Sequence, residues 1–143
     1  MIKEVFPIHD VLPLIPQRNP FVMVDALEEF SKTEVVSSFK VVDTNILVSN
    51  GRFSEPGMVE NMAQTVALHT GYDYFSRGEE APTGYIGSIK KTVINKLPLI
   101  GDTITTKATI LHEIMGVTMV HVKVYDNVGE EIAFGEMKTV IAS

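Results

Sequence analysis

Glu60 is the side chain whose type and surroundings best suit acid–base chemistry. It lies in Pro56-Gly57-Met58-Val59-Glu60-Asn61-Met62, and apolar neighbours favour the neutral, proton-donating form of a carboxyl by raising its pKa. A second reading stays open, because a carboxyl near a helix N-terminus also complements the helix dipole. Against it, a glutamate inside so apolar a stretch is otherwise costly to bury. Gln64 falls one turn on, on the same helical face. Its amide can hold Glu60 or a substrate oxygen, or be satisfied by local backbone.

The four histidines give little further chemistry. His69 lies about two and a half turns beyond Glu60, where it can pack with a hydrogen bond or line a tunnel as a group titrating near neutral pH. His112 and His121 fall in late strand-like segments and read as structural or exposed. His9, near the start, reads as a surface or capping residue. No two histidines share metal-ligand spacing with a carboxylate, so no metal site is expected. The chain has no cysteine, which removes thiolate nucleophiles, disulfides and cysteine zinc sites and fits a reducing compartment.

The elements that must position Glu60 follow from pattern. Pro7, Pro13, Pro16 and Pro20 punctuate the start, leaving room for one short helical turn at Ile8–Leu12. Phe21–Leu27 and Thr33–Val42 read as an antiparallel hairpin, and Asp43–Ser54 as turns. A helix is expected over Pro56–Tyr72, with Pro56 in its first turn and Ser54 or Glu55 as cap. Apolar or small residues on most of its circumference imply deep burial. After a polar loop, strands are expected over Gly84–Asn95, Asp102–Glu113, Val117–Asp126 and Glu130–Ile141. The alternation of Val120, Val122 and Val124 with polar residues marks one covered face. The sum is an α+β domain spanning residues 1–143, a single helix wrapped by a curved sheet that continues as a long antiparallel meander.

With 45% hydrophobic and 21% charged residues, the composition is that of an ordinary globular domain. No window is long and apolar enough to span a membrane, and no signal peptide is evident, so a soluble cytoplasmic protein is expected. The formal charge of −6 argues against nucleic acid. Lys90, Lys91 and Lys96 form the one basic cluster, read as a solvated edge or as a dock for the phosphate arm or acidic surface of a carrier.

Two segments carry a resemblance. Leu14-Ile15-Pro16-Gln17-Arg18-Asn19-Pro20-Phe21-Val22-Met23-Val24-Asp25 resembles the N-terminal signature of the 3-hydroxyacyl-(acyl carrier protein) dehydratases, with Gln17 in place of a histidine. Pro56–Gln64 resembles the central helix of that family, and Tyr85–Lys90 and Pro98–Asp102 are similar to its next strand and turn. The resemblance implies a hot-dog fold and a homodimer or trimer of dimers joined edge to edge. It also implies an acyl thioester substrate on acyl carrier protein or coenzyme A, and no cofactor.

In that family a helix carboxylate, matched by Glu60, works with a histidine from the other subunit. Here the loop Ser49–Gly57 is shorter and lacks histidine, similar to the dehydratase-like branch found in aryl polyene and pigment clusters. Asn50, Arg52 and Ser54 are therefore expected to line the place of the missing histidine, and Gln64 to hold Glu60. Free N–H groups near Gly57 and Met58 suit a thioester oxygen, although Gly57 equally suits tight packing. Gly87 allows close approach to the substrate carbonyl, and His69 is a further candidate for the tunnel wall. The leading expectation is a 3-hydroxyacyl-thioester dehydratase in fatty acid, polyene or pigment biosynthesis. A thioesterase on the same fold, using Glu60 or Asp43 to activate water, and a non-catalytic acyl-binding or partner subunit stand beside it.

Overall fold

The computed structural model describes residues 5–141. One helix, α1 (Glu55–Ser76), packs on the inner face of a six-stranded antiparallel sheet. The strands are β1 (Ala26–Phe30), β2 (Glu34–Lys40), β5 (Gly84–Ile94), β6 (Thr103–Ile114), β7 (Val117–Tyr125) and β8 (Glu131–Ile141), with a separate two-stranded ribbon of β3 (Val48–Ser49) and β4 (Arg52–Phe53).

Local chemistry sets the helix ends. Ser54 Oγ accepts from the Gly57 N–H at 3.3 Å, and proline occupies the first turn, where its missing N–H is not needed. The helix runs four residues past the expected Tyr72. It stops where Gly78 takes φ 69° and the N–H groups of Gly78 and Glu79 cap the Phe75 and Tyr74 carbonyls, each at 3.0 Å, a Schellman ending. Between its ends Met58, Met62 and Leu68 are fully buried against Val35, Ile104, Val120, Val122 and Met137.

Three expectations are corrected. The meander is broken, because the sheet order is β1-β2-β6-β7-β8-β5. β5 crosses to the far edge to pair with β8 while β6 returns to β2, an order that alternation along single strands does not encode. Among the described residues β5 is exposed along nearly its whole length and pairs on one side only, with β8. The stretch expected to be turns contains the β3–β4 ribbon, closed by Asn50 and Gly51 at φ 55° and 76°, the Asn-Gly turn that suits a two-residue hairpin. The short turn before Phe21 forms at Leu12–Leu14 rather than at residues 8–12.

The first strand also begins late. Residues 21–25 lie outside it, and part of this backbone bonds helix side chains instead of a neighbouring strand. Asn61 Nδ2 donates to the Met23 carbonyl at 2.8 Å, and the Met23 N–H donates to Gln64 Oε1 at 2.7 Å. Thr106 Oγ1 donates to Asn61 Oδ1 at 2.6 Å, Thr65 Oγ1 donates to the Asn61 carbonyl at 2.8 Å, and the Ser37 and Thr65 hydroxyls bond each other at 2.7 Å. Every one of these side chains is buried, so the network ties the helix to both the sheet and the opening segment.

Two predictions follow from this packing. A methyl group at Gly71 would overlap the Leu14 carbonyl oxygen, and backbone yields little. Gly71→Ala is therefore expected to destabilise by about 1–3 kcal/mol despite the better helix propensity of alanine, as read by chemical denaturation. Asp126, buried between β7 and β8, accepts from the Glu130 N–H at 2.9 Å, the Val128 N–H at 3.1 Å and Lys96 Nζ at 3.2 Å. The Glu130 N–H foremost, with those of Val128 and Lys96, holds its carboxyl below the ordinary 3.8 against the opposing effect of burial. Its stabilisation is present above that ordinary value and is lost as pH falls through the lower folded one. The melting-temperature gap between wild type and Asp126→Asn is expected to close as pH is lowered through that window. A gap constant with pH would contradict it.

Candidate functional site

A groove of about 650 Å³ runs beside α1, within the size range of small-molecule sites. One wall is the segment Pro13–Gln17, made stiff by Pro13 and Pro16 and by Arg18 Nη1, which donates to the Ile15 and Gln17 carbonyls at 2.8 and 2.7 Å. The facing wall is the end of the sheet, including Tyr85 and Ile86 of β5, Thr118 of β7 and Thr139 of β8. The floor is the helix.

Glu60 is the first helix residue to line the groove and is half-buried. Gln64 Nε2 donates to Glu60 Oε2 at 2.7 Å and to the Phe21 carbonyl at 2.8 Å, while Oε1 takes the Met23 N–H. The amide thus has three fixed partners, and its orientation fixes that of the carboxylate. Both alternatives for Gln64 are realised together, since one amide holds Glu60 and satisfies backbone. The groove therefore contains a positioned proton donor or acceptor at one end.

His69 lines the same groove. Its Nε2 donates to the Ser31 carbonyl at 2.9 Å, and its ring stacks on Phe30 at 4.9 Å between centroids. Nine residues separate it from Glu60, about 13 Å of helix rise, so the two side chains cannot act on adjacent atoms of one substrate. The other histidines lie elsewhere. His121 Nε2 bonds Glu136 Oε1 at 2.8 Å outside the core, lowering the Glu136 carboxyl from its usual range chiefly through that hydrogen bond, and His9 and His112 are exposed.

The loop residues are placed apart from the groove lining. Asn50 is exposed at the ribbon turn, and Arg52 reaches back to the Leu97 carbonyl at 3.0 Å. Ser54 caps the helix. The N–H groups expected to be free at the helix start are occupied, that of Gly57 by Ser54 Oγ and that of Met58 by the Ser54 carbonyl at 2.9 Å. A methyl at Gly57 would run into the Phe53 ring, so tight packing explains this glycine, and Met58 is fully buried core. Gly87 sits at an irregularity of β5 outside the groove lining, and a Cβ there would come 2.8 Å from Val140 Cγ2.

Sequence reasoning missed two residues near the site, of which one lines it. Asn61 sits beside Glu60 in sequence but serves the fold alone. Gln17 lines the groove with Glu60, and its Oε1 is buried without a hydrogen-bond partner. The run of prolines was the available signal, since it marks a stiff wall. Among the described residues no three His, Asp or Glu side chains come together as metal ligands, and no helix is long and apolar enough to cross a membrane.

The single helix against a curved antiparallel sheet is the hot-dog fold. The dehydratase heterocomplex ApeI:P from Xenorhabdus doucetiae shares it, with a TM-score of 0.86 at 16% identity over 98% of this chain and 93% of that one. The 3-hydroxyacyl-(acyl-carrier-protein) dehydratase FabZ of Clostridium botulinum is 29% identical over 146 residues, covering 98% of this chain and 99% of its own. The FabZ of Polynucleobacter asymbioticus is 35% identical over 101 residues, with the match spanning 66% of each protein, just under two thirds. A family model of ApeP-like proteins, described as ApeP dehydratase, matches residues 9–140. That match takes in the groove wall, Glu60 and the edge strand alike, and this dehydratase-like chain belongs to the ApeP-like family.

Proposed function

We propose that this chain supplies the carboxylate half of a 3-hydroxyacyl-thioester dehydratase site, acting on acyl groups carried by acyl carrier protein or coenzyme A in fatty acid, polyene or pigment synthesis. The observation that carries the reading is Glu60, held by Gln64 at the end of a groove whose opposite wall includes a free strand edge. Dehydration takes a proton from C2 and returns one to the C3 hydroxyl, which leaves as water while the C2–C3 double bond forms. Glu60 donates the proton to the departing hydroxyl, and a second group must take the proton from C2.

Among the described residues the side chain bonded to Glu60 is the amide of Gln64, which cannot take that proton. Two copies joined edge to edge, the arrangement implied by the resemblance, would bring only His9, His69, His112 and His121 as imidazoles. Within the chain His69 is about 13 Å along the helix from Glu60, His121 is engaged with Glu136, and His9 and His112 are exposed. A partner of the same fold with a histidine in its pre-helix loop would complete the site. Tyr85 and Ile86 lie both on β5 and in the groove wall, so a strand added to that edge arrives about 5 Å from the groove. The ApeI:P structure is described as a dehydratase heterocomplex, which supports a mixed pair. The cysteine-free chain suits a reducing cytoplasm.

The test is enoyl-thioester formation from 3-hydroxyacyl substrates by this chain alone and with a histidine-bearing dehydratase partner. Turnover is expected with the partner, falling about 10²- to 10⁴-fold in Glu60→Gln and staying near wild type in a surface control such as Lys123→Gln. Full activity of Glu60→Gln in the complex would sink the catalytic role and leave an acyl-binding partner subunit. Release of free thiol instead of an enoyl product would identify a thioesterase.

A further inference from the structure

The helix residues that line the groove begin at Glu60 and continue only toward the C-terminal end of α1. Among them Glu60, Ala63, Ala67, Thr70 and Tyr74 follow spacings of three and four and so form one stripe along the helix. All five are half-buried. The stripe is small-sided at Ala63 and Ala67. Its first bulky member is Tyr74, whose ring lies under the Arg77 guanidinium at 4.6 Å. By helix rise, Ala67 is about 10 Å and Tyr74 about 21 Å from Glu60.

A substrate whose reacting carbons sit at Glu60 can send one of its two arms down this stripe. The arm bearing the carrier contains amide groups that need hydrogen-bond partners when enclosed. The first stretch past Glu60 offers Ala63, Val66 and Ala67 from the helix, with Ile15 and Ile86 from the walls, and these favour hydrocarbon.

With the acyl chain beside the helix, as the resemblance to the dehydratases implies, we propose that Ala67 sets the length of chain accepted, an inference that rests on Glu60 marking the reacting end. Ala67 lines the groove with a methyl group alone. A larger side chain there would close it, stopping long chains while short ones end before reaching it. Tyr74 then bounds the far half.

The experiment is calorimetric binding of unreactive thioether analogues of N-acetylcysteamine carrying butyl, dodecyl or hexadecyl chains to the full-length protein. Ala67→Leu is expected to weaken the dodecyl analogue about tenfold or more while changing the butyl analogue by less than about twofold. Tyr74→Ala is expected to improve the hexadecyl analogue relative to the dodecyl one, a gain that misfolding cannot produce. An unchanged ratio of affinities in both variants would overturn the proposal. So would a loss in Ala67→Leu that follows the thiol arm, seen by exchanging N-acetylcysteamine for pantetheine, rather than the acyl chain. Because binding is read without turnover, full turnover by Glu60→Gln together with intact length dependence would count against the dehydratase reading alone.

Discussion

The structure depends on an exchange of hydrogen bonds between two helix amides and a stretch of backbone. Helix α1 is buried around most of its circumference, yet Asn61 and Gln64 are fully buried within it. A buried amide without partners costs several times what a satisfied one contributes. The backbone at residues 21–23 has the complementary need, because it runs beside the helix and outside the ladder of the sheet. Asn61 and Gln64 meet that need at the Met23 N–H, the Met23 carbonyl and the Phe21 carbonyl. Each side supplies what the other lacks, so neither is stable in place alone.

The same exchange reaches the site. After satisfying Phe21 and Met23, Gln64 has one N–H left, and it points at Glu60. The carboxylate is therefore oriented by the contact that anchors the opening segment, and that segment in turn forms the near wall of the groove through Ile15 and Gln17. Fold and site share their supports here. A change at Gln64 would loosen the wall and the carboxylate together, which is why a binding readout beside a turnover readout is informative at this end of the groove.

What the sequence reveals follows the range of the interactions involved. Ser54, Pro56 and the apolar run after them mark the helix start because capping is decided within four residues. The alternation in β7 is legible for the same reason. The late start of β1 was not, since the partners of residues 21–23 lie about forty positions on, and an extended apolar stretch looks alike whether it bonds a strand or two amides. The crossing of β5 to the far edge is a choice between partners that both alternate correctly. At the site, Glu60 and Gln64 stand out by type and spacing. The loop residues Asn50, Arg52 and Ser54 owed their candidacy to the place of an absent histidine, and in one chain their side chains turn to capping and turn-making.

The free edge and the incomplete acid–base pair bear on each other. An eleven-residue edge strand with exposed Tyr85, Ile86, Ile89 and Val93 is a liability for a lone chain, because it offers unpaired backbone to any passing strand. A site that needs a proton acceptor from outside has the opposite requirement, an approach kept open for a second chain. β5 meets both conditions at once, since it forms the edge of the sheet and, through Tyr85 and Ile86, the wall of the groove that holds Glu60. Covering the edge and completing the chemistry would then be a single event. On the proposed reading the absence of histidine from Ser49–Gly57 is tolerable, since a mixed pair would need one carboxylate and one imidazole at each working site and not both from every chain.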